Sequence, residues 1–111
     1  MGFCKSSEAE KRTIANGVEL ELMAHNEDMF AILNKVPKGV TKAPHSHPAV
    51  QIYLITEGKM EITIGEETAI LVAGDSAIVP SGVVHIAKAL EDSVEIEFFN
   101  DPRKDVLDKY F

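Results

Sequence analysis

The 111-residue chain has no tryptophan, one cysteine and no cluster of basic residues. The lone Cys4 excludes an intramolecular disulfide framework and suits a reducing compartment, so a cytoplasmic protein is expected. No apolar run approaches the roughly 20 residues that a membrane span needs. No basic segment leading into an apolar one opens the chain, so no secretion signal is expected either. With 11 lysines and arginines against 18 acids, the net charge is −7. The basic residues are scattered, which argues against nucleic acid, whose binding needs a basic face to neutralise phosphates. An anionic ligand would also be repelled at long range unless local positive charge receives it.

What is present suits one domain over residues 1–111. Hydrophobic residues make up 45% of the chain, with no internal repeat or low-complexity tract. A chain of this length buries roughly 65% of its unfolded surface, enough for one core. The start, Met1-Gly2-Phe3-Cys4-Lys5-Ser6, fits the N-myristoylation pattern. That pattern has three free positions and arises often by chance, so residues 1 to about 12 read as a loose or exposed lead-in. "VELELMA" (Val18 to Ala24) alternates apolar and acidic residues with the period of a half-buried strand. His25-Asn26-Glu27-Asp28 turns the chain, His25 being an ordinary turn residue, and "MFAILNKV" returns. "QIYLIT", "MEITI", "TAILV", "SAIVP", "VVHIAKAL" and "VEIEFF" follow, separated by turns such as Glu57-Gly58-Lys59 and Gly65-Glu66-Glu67. This rhythm predicts an all-β sandwich or barrel. Only the end reads as helix: Asp101 can cap it, Pro102 suits its first position, and Val106, Leu107, Tyr110 and Phe111 share a face.

Two histidines, His45 and His47, flank Ser46 in "HSHPAVQ". In a regular strand they would share a face with Gln51, Tyr53 and Ile55, placing three metal-competent side chains on one wall, with Pro48 marking a local irregularity. Two histidines beside a serine and a proline can equally form a solvated loop. "GDSAIVPSGVVH" then brings His85 to the end of a strand-turn-strand pattern.

Together these segments resemble the cupin superfamily. Its first motif reads here as Gly39-(x5)-His45-x-His47-(x3)-Gln51-(x6)-Gly58, and its second as Gly74-(x5)-Pro80-x-Gly82-(x2)-His85. The resemblance covers about residues 30 to 100 and implies a double-stranded β-helix, or jelly-roll barrel. It also implies one divalent metal held by His45, His47, Gln51 and His85. Two positions depart from the family's pattern: Gln51 stands for its usual Glu, and Ala89 for the Asn that often closes the second motif. A neutral amide beside three imidazoles leaves a metal its full charge, favouring Lewis-acid chemistry and carboxylate binding. Nitrogen and oxygen ligands admit Mn, Fe, Ni, Co or Zn.

"ALEDSVEIEFFNDPRKDVL" (Ala89 to Leu107) admits two readings. In one, Val94, Ile96 and Phe98 face the core while Glu95 and Glu97 face water. In the other the faces are exchanged, and the stretch resembles the small pectin-degradation cupins that open the ring of 4,5-unsaturated uronates. Their acid-x-Phe-(x3)-Arg segment reads Glu97-x-Phe99-(x3)-Arg103 here, with Glu where that group typically has Asp. This resemblance implies that Glu97 acts as acid/base, that Arg103 binds the carboxylate of a small sugar acid, and that Phe99 shapes the pocket. Tyr53 is expected beside them as a substrate contact. Inward Glu97 would leave Val94, Ile96 and Phe98 outside needing cover, so a homodimer is expected. Two other functions compete: a cupin dioxygenase, and a non-enzymatic metal-dependent binding module.

Overall fold

The computed structural model describes residues 2–111; Met1, where the lipidation pattern and the lead-in begin, lies outside them. Among the described residues ten strands form two antiparallel sheets, as the jelly roll requires. The strands are β1 (Lys11–Thr13), β2 (Glu19–His25), β3 (Phe30–Val36), β4 (Thr41–His45), β5 (Gln51–Glu57), β6 (Lys59–Ile64), β7 (Glu67–Val72), β8 (Ser76–Val79), β9 (His85–Ala89) and β10 (Ser93–Phe99). The larger sheet runs β1-β2-β3-β10-β5-β8 and the smaller β4-β9-β6-β7. No helix among the described residues is long and apolar enough to cross a membrane.

The period-two segments become strands because one face of each meets the core between the sheets. Leu20 and Leu22 of β2, Phe30, Ile32 and Val36 of β3, and Met60 and Ile62 of β6 are all buried. Chain passage from the large sheet to the small one turns at Gly58, whose φ of 85° lies in the left-handed region. A side chain there would strike the Asp92 carbonyl and Ser93, so the position requires glycine on two counts.

The helical end differs from expectation. The helix, α1, spans Lys104–Tyr110, so Asp101 and Pro102 precede it. The Asp101 carboxylate accepts the Arg103 N–H at 2.7 Å, which ties up a tight turn and not a helix start. Arg103 follows with φ of 46°, a left-handed conformation that a non-glycine residue adopts rarely. Val106, Leu107, Tyr110 and Phe111 do pack against the core. Residues 11–13 of the lead-in are exposed but ordered as β1 against β2, with Arg12 opposite Leu20.

Candidate metal centre and active-site cavity

The histidines reach one point by a different route from the one the pattern suggested. β4 ends at His45, Ser46 to Val50 form a loop, and Gln51 opens β5 in the other sheet. His45, His47 and Gln51 therefore do not share one strand wall. Pro48 cannot donate to a ladder, and the loop around it carries the chain across the barrel mouth. There the Gly82 N–H donates to the His47 carbonyl at 2.9 Å, so the turn of the second motif fixes the loop of the first. His45 lies directly opposite His85 in the β4–β9 register.

Each histidine places Nδ1 2.9 Å from a backbone carbonyl: His45 on Ala43, His47 on Ala49 and His85 on Val83. A carbonyl can only accept, so each Nδ1 donates to it and each Nε2 is the nitrogen left to ligate. One ligand atom from each ring falls within 4.8 Å of the others. Gln51 joins them through Oε1, 2.9 Å from the His47 Nε2. The buried His85 Nε2 has no hydrogen-bond partner among the described residues. Burial, followed by the neighbouring His45 and His47, holds its pKa down against the pull of the Val83 carbonyl. A buried, unpartnered imidazole nitrogen facing two more imidazoles fits a divalent metal.

Strand β10 resolves its two readings in favour of inward acids. Ser93, Glu95, Glu97 and Phe99 are buried, whereas Val94, Ile96 and Phe98 lie half-buried on the outer face. The Lys42 ammonium sits between the carboxylates, 2.7 Å from Glu95 and 2.8 Å from Glu97. The Asn34 amide donates to both, reaching Glu95 at 2.9 Å and also Glu97. On its other oxygen Glu97 accepts the Gln51 Nε2 at 2.6 Å.

One ammonium between two buried acids splits their affinities for a proton. Burial, then the charge of Glu97, pushes Glu95 up to about 8, against the pull of Lys42. Burial pushes Glu97 up as well, but Lys42 and the hydrogen bond shared with Glu95 together hold that carboxyl below its ordinary value. For Lys42, burial works against the charge, and the two carboxylates override it and raise its pKa.

His45, Glu97, Phe99 and Arg103 line one cavity of about 440 Å³, together with Lys42 and Asn34. The Arg103 guanidinium lies 4.4 Å from the centre of the Phe99 ring and forks onto Asp105 through Nε and Nη2, both at 3.0 Å. Phe99 in turn meets the His47 ring edge-on at 5.5 Å. Tyr53 is fully buried beneath, 6.3 Å from the His85 ring; its hydroxyl has no hydrogen-bond partner among the described residues, and it is not part of the cavity wall. Asn34, Lys42 and Glu95 were not foreseen as site residues. Asn34 stands in the apolar row of β3, between Ile32 and Val36, and Glu95 shares the parity of Glu97. Both signals were in the sequence; Lys42 had none.

A jelly roll with a three-histidine mouth is the architecture of a metal-dependent cupin, and the comparisons agree. The cupin domain family matches residues 33–100, and the chain belongs to that family. The structure superposes on an RmlC-like cupin from Shewanella frigidimarina with a TM-score of 0.89, at 26% identity over 93% of each chain. It superposes on KdgF from Halomonas sp. with a TM-score of 0.87, at 30% identity over 96% of this chain and 98% of that one. In sequence it is 37% identical over 62 residues to H2HPP isomerase of Bacillus subtilis, spanning 26% of that protein's length.

Proposed function

We propose that this cupin opens the ring of 4,5-unsaturated monouronates, such as those released from pectin or alginate, to the linear keto-aldehyde acid. The observation that carries this reading is the shared cavity: a carboxylate, an arginine and a metal-edge histidine face one space of substrate size. The pectin-degradation resemblance of Glu97-x-Phe99-(x3)-Arg103 supports it, as does the end-to-end likeness to KdgF.

In this reading Arg103 binds the substrate carboxylate. Asp105 occupies Nε and one side of Nη2, so Nη1 remains for the ligand, with the Phe99 ring packed against the guanidinium. Glu97 is ionised at neutral pH and accepts the proton of the anomeric hydroxyl. The C1–O5 bond breaks, C1 becomes the aldehyde, and the ring oxygen departs as an enolate conjugated with the carboxylate. Glu97 then returns the proton to C4 and the enolate becomes the ketone. The reaction is an isomerisation and needs no oxidant. A divalent ion on His45, His47, His85 and Gln51 (Mn, Fe, Ni, Co or Zn) would supply Lewis-acid stabilisation of the developing negative charge. Proton transfer by a placed carboxylate contributes about 10²- to 10⁴-fold.

The test is the loss of conjugated double-bond absorbance from 4,5-unsaturated galacturonate, followed with metal-loaded protein, chelated protein and no protein. Metal-dependent acceleration is expected, and Glu97→Gln and Arg103→Ala should each abolish most of it. No acceleration with metal bound, or full activity in both variants, would refute ring opening; oxygen uptake would then test a dioxygenase. The reading also includes a homodimer formed over the outer face of the large sheet, where Ile96 and Phe98 stand beside Leu33, Leu54 and Ile52.

A further inference from the structure

Gln51 is bound on both ends of its amide, and the two ends make opposite demands. Its Nε2 donates to Glu97 Oε1 at 2.6 Å, while its Oε1 faces the His47 Nε2. A carboxylate can only accept, so Glu97 draws the amide nitrogen to itself and turns the amide oxygen toward the three histidines. Glu97 is held in turn: its other oxygen takes hydrogen bonds from Lys42 and Asn34, which can only donate there.

We propose that Glu97 is a positioning residue for the metal ligand Gln51, and that the identities of residues 51 and 97 are interdependent. The inference rests on the metal-binding reading alone, not on ring opening. Its logic is the alternation of donors and acceptors along one line: Lys42 and Asn34 donate, Glu97 accepts at both ends, Gln51 donates inward and offers oxygen to the metal. A glutamate at 51 would set an acceptor against the Glu97 acceptor at 2.6 Å, two anions in a buried place. This accounts for the departure from the family's usual Glu at that position.

The same logic predicts a swap. In Glu97→Gln, Lys42 and Asn34 still demand an oxygen, so the new amide turns its NH2 toward Gln51. Gln51 must then offer its oxygen to that NH2 and its own NH2 to the metal, where it cannot ligate. In Glu97→Gln combined with Gln51→Glu, one oxygen at 51 accepts that NH2 and the other ligates.

The experiment titrates the 111-residue protein with Co2+, reading affinity by calorimetry and ligand set by the d–d absorption band, with no substrate present. Loss of an oriented outer partner costs typically about 10- to 100-fold in metal affinity. Glu97→Gln should weaken Co2+ binding by that factor and change the band, Gln51→Glu alone should also weaken it, and the double variant should bind at least about tenfold tighter than either single one. Thermal melting of the metal-free proteins checks folding; if Gln51→Glu does not fold, Glu97→Gln against Glu97→Asp carries the test, the aspartate retaining the wild-type band. Unchanged affinity in Glu97→Gln, or two effects that simply multiply in the double variant, would overturn the proposal. A wild-type protein that takes up no Co2+ would overturn the metal centre itself, and the proposal with it.

Discussion

The two sheets line the barrel with opposite chemistry. The large sheet turns Asn34, Gln51, Tyr53, Ser93, Glu95 and Glu97 inward, so its buried polar groups are acids, amides and hydroxyls. The small sheet contributes Lys42, His45 and His85 among Met60, Ile62, Ala87 and Ala89: one ammonium and two imidazoles in an apolar wall. Neither wall could lose its water alone, because an unpaired buried charge costs several kcal/mol or more. Lys42 meets both acids only when the sheets close, and His47 meets Gln51 only across the mouth. Closing the barrel and assembling the site are therefore one event, and the chemistry of each wall can be tested by disabling the other.

The largest effect should follow from the small sheet. His85→Ala removes a fully buried ligand and should abolish measurable Co2+ binding, a greater loss than the roughly 10- to 100-fold expected of outer partners. Calorimetric titration checks it; retained tight binding would remove His85 from the centre. Next comes Lys42→Ala, which leaves the ionised Glu97 buried beside protonated Glu95 with no counter-charge. Breaking a buried pair from one side costs about 3–5 kcal/mol, a large share of the roughly 5–15 kcal/mol that holds a domain folded, so the urea midpoint should fall markedly. Lys42→Met combined with Glu97→Gln, which removes both members of the charged pair, should recover part of that loss. If Lys42→Ala melted like wild type, the ammonium would not be holding the acids.

That pairing also marks how far the sequence could be read. The all-β fold was legible because period-two burial is a local property, and the jelly roll and its histidines because the motif spacing resembles that of the cupins. Glu97 was ambiguous because "VEIEFF" alternates on both faces, and alternation fixes the faces without saying which is inside. The core of this barrel is polar on the very strand where hydrophobicity would point outward. Lys42 was illegible for a related reason: its partners lie 53 and 55 residues away on the opposite sheet, a juxtaposition that no local pattern reports. The single-wall placement of His45, His47 and Gln51 failed because the loop through Pro48 changes sheets between them.

A smaller effect separates the two acids by pH. Glu95 has an ordinary value of 4.5 and is raised to about 8 in the folded protein, so the native state holds a proton that the unfolded chain gives up. The stability it contributes is full below about 4.5 and is lost as pH rises through about 8. Glu97, held low, acts in the opposite sense: its contribution is present above its ordinary value and is lost on acidification. Metal-free wild type should therefore melt at a lower temperature at about pH 9 than at about pH 6, and Glu95→Gln should flatten that difference. An undiminished alkaline decline in Glu95→Gln would assign the decline to another group.

The smallest effect on the site should come from the face that neither wall uses. Because Glu95 and Glu97 turn inward, the outer surface of β10 must present Val94, Ile96 and Phe98, flanked by Leu33, Leu54 and Ile52, with Ile52 42% exposed, and by Ile78, 60% exposed. A continuous apolar row over four strands exceeds the single apolar residues that monomer surfaces scatter, and a second copy of the same face would cover it by two-fold symmetry. Phe98→Lys places a charge in the middle of that row without altering an inward side chain. Wild type should sediment as a dimer and the variant as a monomer, with Co2+ affinity unchanged within about threefold, since surface substitutions away from a site seldom propagate. A wild type that sediments as a monomer would show that the inverted strand leaves its apolar face bare. A monomeric variant that also lost Co2+ would show that the outer and inner faces of the large sheet are mechanically coupled, and the two walls would then have to be treated as three.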